Sequence, residues 1–115
     1  MTNKDYRDYL DDILNAIDET EDFTRRMTFK KFCDDRKTIN AVIRSLEVLG
    51  EATKNIPAAI RAKYPEIPWR KMAGMRDKLI HEYFGVDLEI VWQAITEDIP
   101  PLRPVIKEIL KDAEK

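Results

Sequence analysis

Tyr6, Tyr9, Leu10, Ile13, Leu14 and Ile17 recur at intervals of three and four, the spacing that gathers side chains on one face of an α-helix. The pattern predicts a first helix from about Lys4 to Glu21. Thr28 is placed to cap a short turn of helix through Phe32, and Asp34 and Asp35 give the next start signal. Ile39, Val42, Ile43, Leu46, Leu49 and Thr53 then mark a long helix over about Arg36 to Lys54. Pro57 suits the first residue of a short helix that must end before Pro65. Pro68 opens a further helix with Trp69, Met72, Ala73, Leu79, Ile80 and Tyr83 on one stripe and Gly85 as its stop. Leu88, Val91, Ile95, Ile99, Leu102, Ile106 and Ile109 form a last stripe that Pro100, Pro101 and Pro104 must bend or interrupt. No strand alternation competes. The prediction is an all-α chain, a single domain over 1–115, with four substantial amphipathic helices packed as an antiparallel bundle. Gly50 and Gly74 fall inside helices, where close approach of a neighbouring helix is the expected reason for them.

Composition fits that picture. Of 115 residues, 43% are apolar and 37% charged, as in a helical globule, and no run nears the ~20 apolar residues of a membrane span. A net charge of −2 argues, taken alone, against a polyanionic partner. The charge is unevenly distributed, however: residues 1–22 carry −6, residues 23–82 carry +7 and residues 83–115 carry −3. One cysteine, Cys33, and one histidine, His81, leave neither an internal disulfide nor a zinc site to be made. The first residues lack the charged-then-apolar layout of a secretory leader, so a cytoplasmic location is expected.

The chemistry concentrates in Met75-Arg76-Asp77-Lys78-Leu79-Ile80-His81-Glu82-Tyr83-Phe84-Gly85. Arg76 follows Met72 by four and precedes Leu79 by three and Tyr83 by seven, which puts it on the apolar stripe. An arginine there either packs its stem while its head reaches a carboxylate, or holds a ligand. Asp77 lies four before His81, the spacing at which a carboxylate orients an imidazole and favours its charged form. A histidine so held serves as general acid or base; read plainly, it is a surface histidine favoured by a helix C-terminus. At ~100° per residue, Arg76 and His81 stand about 140° apart around an unbroken helix. To meet one substrate, the helix must fray near His81, the arginine must reach round, or a second subunit must complete the site. Tyr83 reads first as core packing. Glu47 and Glu51 share a face, but no Glu-x-x-His partner makes a di-metal site, and no Gly-rich phosphate loop is present.

Arg76, four intervening residues, His81, Glu82 and Tyr83 match the Arg-x4-His-x-Tyr motif of HEPN-domain toxins of the HepT type. The resemblance extends to Asp35-Arg36-Lys37-Thr38, to Ala41 through Lys54, to Tyr64-Pro65-Glu66-Ile67-Pro68-Trp69 and to Phe84-Gly85-Val86-Asp87-Leu88, nearly the whole chain. It implies a four- to five-helix HEPN bundle that forms a homodimer, with two copies of the motif at a composite cleft. It implies a metal-independent endoribonuclease without a cofactor, the toxin of a type VII toxin-antitoxin system acting on tRNA or mRNA. The RNA's 2′-hydroxyl would attack the adjacent phosphate, with His81 transferring protons, Arg76 binding the phosphate and Asp77 supporting the polar network. Tyr83 matches the tyrosine that a separate nucleotidyltransferase antitoxin, of the MntA kind, modifies with AMP to silence the nuclease.

Two other readings compete with this one. In the first, the chain is a non-catalytic, nucleotide-binding partner of a minimal nucleotidyltransferase, with Arg76 and His81 holding a phosphate. In the second it is a helical adaptor whose polar motif only fixes packing. The ribonuclease reading further predicts that the basic side chains of residues 23–82 gather in one groove around Arg76 and His81, framed by acidic outer helices.

Overall fold

A computed structural model of the protein describes residues 5–81 and 87–113. Within them every regular element is helical. The first, α1 (Tyr6–Phe23), begins at a capping box: the Asp5 carboxylate accepts from the Arg7 N–H at 2.9 Å, and the Asp8 carboxylate accepts from the Asp5 N–H at 3.2 Å. Thr28 caps the short α2 (Phe29–Asp34) by accepting from the Lys31 N–H. Asp35 alone separates α2 from α3 (Arg36–Lys54), and its carboxylate accepts from the Thr38 N–H at 3.0 Å. That bond holds the Asp35 carboxyl below its ordinary range. Pro57 occupies the cap before α4 (Ala58–Lys63), one position earlier than the sequence pattern predicts. After Pro68 comes α5 (Trp69–His81), and Asp87 caps α6 (Leu88–Gln93).

The prolines act unequally. Pro100 has no N–H to offer a helical partner and its ring presses on the preceding turn, and just before it the helix opens into a π-helical stretch, Ala94–Asp98. There the Ile99 N–H reaches back five residues to the Ala94 carbonyl at 2.8 Å. Pro104, expected to bend or interrupt the last helix, sits third in α7 (Leu102–Ala113), where no backward hydrogen bond is owed, and the helix continues through it.

The long helices α1, α3, α5 and α7 supply most of the core, with α3 packed between α1 and α5 and α7 laid against α1. Leu10, Ile13, Ile17, Val42, Leu49 and Ile106 are fully buried. Buried hydroxyls are satisfied locally: Thr20 donates to the Ile17 carbonyl and Thr53 to the Leu49 carbonyl. Ser45 donates instead across the α1–α3 seam to Glu19 at 2.9 Å. In the last helix, Arg103 grips Asp18 and Glu21 of α1, each at 2.7 Å.

Tyr64, just after α4, ties the far end of α7 by donating to Asp112 at 2.7 Å. This bond, with some burial, pushes the Tyr64 hydroxyl up to about 12. A raised acid pKa means the folded state holds the proton more tightly, so the contribution is intact below about pH 10 and is lost as pH rises toward 12. Base titration followed by circular dichroism should therefore show Tyr64→Phe with a shallower loss of stability between those values than the wild type.

Gly74 corrects an expectation. It is exposed on α5, and a Cβ built there meets nothing within 4 Å, so no neighbouring helix among the described residues approaches it. Gly50, by contrast, is buried in α3. Gly74→Ala should raise stability by about 0.5–1 kcal/mol, read as a higher melting temperature.

Candidate active site

The helix that carries the candidate residues is anchored at its start. The Trp69 indole N–H donates to the Tyr64 carbonyl at 2.9 Å, and the Met72 N–H bonds the Pro68 carbonyl at 3.0 Å. Trp69 and Met72 are almost fully buried, 6% and 3% exposed, and belong to the core that α5 shares with α3. From that anchor the helix runs unbroken to His81, and residues 82–86 lie outside the described residues. Position 76 follows Met72 by four and Trp69 by seven, on the line of the buried side. Position 81 follows Gly74 by seven and lies on the line of exposed residues. The two positions thus fall on different sides of the helix. The side chains of Arg76 and His81 lie outside the described residues, as do Tyr83 and Gly85 altogether.

Asp77 is described, and its carboxylate meets the Lys54 ammonium at 2.9 and 3.0 Å. Lys54 is the last residue of α3, so this pair fastens the end of α3 to the C-terminal half of α5. With Asp77 53% exposed, the pair contributes little to stability by charge alone, but it fixes where the carboxylate sits relative to the motif. The expected pairing of Asp77 with His81 involves a side chain outside the described residues. Lys54 was missed because the pairing crosses between helices, which sequence spacing along one helix does not reveal.

Among the described residues the basic side chains do not gather in a single groove. Arg36 and Lys54 stand at opposite ends of α3, about 27 Å apart. Arg25 pairs with Asp22 and Arg44 with Glu47. Arg61 is turned inward, donating to the Ile56 and Thr53 carbonyls at 3.1 and 2.7 Å to satisfy the end of α3. On the motif helix, Arg70 and Lys71 remain exposed, beside a groove of about 460 Å³ between α5 and the α6–π segment.

The described residues form an all-α bundle with an arginine and the chain's one histidine five residues apart on one core-anchored helix, the arrangement that the resemblance to HEPN domains implies. A family model described as "Ribonuclease HepT-like" matches residues 13–109. A protein of Thermococcus cleftensis named "Probable ribonuclease HepT" is 52% identical over 108 residues, 94% of this chain and 98% of that protein. Two others, from Methanocaldococcus jannaschii and Caldanaerobacter subterraneus, both named provisionally as RNases, are 51% and 45% identical. These cover 99% and 91% of this chain and 94% of each relative. No solved structure matches the chain. The chain belongs to the HepT-like ribonuclease family, and its enzymatic class is that of a ribonuclease. No helix among the described residues is long and apolar enough to cross a membrane.

Proposed function

We propose that this chain is a metal-independent endoribonuclease toxin whose active site is built from Arg76 and His81. The observation that carries the reading is the family match together with an α5 that runs unbroken through both positions. In the proposed reaction the ribose 2′-oxygen forms a bond to the adjacent phosphorus while the bond from phosphorus to the 5′-oxygen of the next nucleotide breaks. The products are a 2′,3′-cyclic phosphate and a free 5′-hydroxyl. His81 moves the proton from the attacking hydroxyl toward the leaving oxygen, and Arg76 binds the charge that accumulates on the phosphate. Asp77, held by Lys54, supports the polar network beside them.

Arg76 and His81 sit about 140° apart on a helix that does not fray before His81. That separation favours a homodimer in which two copies of the motif meet at one cleft. Tyr83, two residues beyond His81, is the site at which a nucleotidyltransferase antitoxin attaches AMP. The added phosphate places negative charge where the RNA backbone must lie. Together these define a type VII toxin-antitoxin pair.

The test is production of the chain alone and with a nucleotidyltransferase encoded beside it. Growth arrest by the chain alone, relief by the partner with ATP, and an AMP adduct on the Tyr83 peptide by mass spectrometry are the expected results. Arrest that the partner relieves with Tyr83 unmodified overturns the AMP assignment, and an absence of RNA cleavage by the purified chain overturns the toxin reading.

A further inference from the structure

Gly74 costs α5 stability relative to alanine, and no close helix approach accounts for it. What its missing side chain does leave is open space on one wall of the groove between α5 and the α6–π segment. That groove, about 460 Å³, is in the size range of small-molecule sites. Its floor is apolar: Met72, Val91, Ile99 and Leu102 are all nearly buried, and Met75 flanks them.

The two edges differ in character. Along α5 stand Arg70 and Lys71; on the opposite edge stand Gln93 and Asp98, with Asp87, whose carboxylate caps α6. Among the described residues neither cation makes an ion pair, and neither does Asp98. An apolar slot with cations on one edge and hydrogen-bond acceptors on the other complements a nucleotide. The base is flat and apolar on its faces, the phosphate is anionic, and the base edge carries N–H donors. Thioethers such as those of Met72 and Met75 make favourable contacts with aromatic rings, and a glycine lets a ring lie against the helix backbone. A purely apolar helix from another protein would cover the floor but leave both cations and Asp98 without partners.

We propose that this groove is a base-accepting subsite for RNA, with the base against Gly74 and its phosphate on Arg70 and Lys71. The proposal rests on the ribonuclease reading above and names where its substrate is recognised. Gly74 is about 10 Å along α5 from His81, so the nucleotide held is a neighbour of the one cut.

The test uses the full chain and binding alone. The four ribonucleoside 5′-monophosphates, and a fluorescent RNA oligonucleotide with every 2′-hydroxyl methylated so that it cannot be cleaved, are titrated into wild type, Gly74→Leu and the double variant Arg70→Ala/Lys71→Ala. Filling the groove in Gly74→Leu should weaken monophosphate binding by about tenfold or more while helical content is kept. The double variant should weaken oligonucleotide binding and flatten its salt dependence by about 0.7 in log-log slope for each phosphate that the missing cations no longer neutralise. Monophosphates that bind wild type and Gly74→Leu alike, or do not bind at all, overturn the proposal. A Gly74→Leu chain that changes oligomeric state with nucleotide binding untouched also overturns it and assigns the groove to an interface between copies. Because the oligonucleotide cannot be cut, groove-dependent binding by a chain without nuclease activity would sink the ribonuclease reading and leave the subsite standing. Cleavage that depends on His81 with binding indifferent to Gly74→Leu would do the reverse.

Discussion

His81→Ala should lose RNA cleavage by a factor of roughly 10²–10⁴, the range a positioned general acid or base contributes. It should do so with its melting temperature close to wild type. Position 81 is the last residue of α5 and lies on the line of its exposed side, away from the Trp69 and Met72 plug that fastens the helix to the core. Removing an imidazole there leaves the buried apolar packing of α5 in place, so activity and stability should separate. The measurement is a cleavage assay on a defined RNA in excess chelator, paired with thermal melts of both proteins. Equal cleavage by His81→Ala removes the histidine from the mechanism. Cleavage by the wild type that disappears in chelator and returns with a divalent cation would remove the metal-independent chemistry instead.

Much of the fold was legible because helix signals are local. The Thr28 and Asp35 caps, the boundaries of α3 and the proline stops each depend on residues within one turn, and the structure shows them where the spacing puts them. What was not legible depends on packing between elements. Gly74 looks from sequence like any glycine in a helix; only the neighbouring elements show that nothing among the described residues approaches it. Pro104 reads as a break until the start of α7 is known, since two residues' difference in the start decides whether its missing N–H matters. The basic excess of residues 23–82 is a sum along the chain, and it carries no information on direction. Among the described residues, Arg36 and Lys54 stand at the two ends of α3, Arg61 turns inward, and Arg70 and Lys71 are exposed on α5. Arg76 and His81 were legible as positions on one helix, but Lys54, which holds Asp77 from another helix, was not.

The separation of Arg76 and His81 leads to the second expected result. Arg76→Ala and His81→Ala should each be inactive alone, and mixing the two, after unfolding and refolding them together, should restore activity. If Arg76 of one copy works with His81 of the other, a mixed dimer holds one site with both groups intact and one with neither. Random pairing at equal amounts makes about half of the dimers mixed, so recovery should approach a quarter of wild-type activity where each dimer has two independent sites. A site formed within one chain predicts no recovery at any ratio, since every copy then lacks one of its own two groups. The geometry favours recovery. An unbroken α5 sends the two positions to sides about 140° apart, and the line of position 76 is the line of Trp69 and Met72, which pack into the core. Arg76→Ala alone adds a control on the adaptor reading. If the arginine only fixes packing, its loss strands a buried partner and lowers the melting temperature sharply, and Arg76→Lys restores stability. If it binds the scissile phosphate, the melting temperature stays near wild type, and lysine, which keeps the charge but not the planar fork, recovers cleavage only in part.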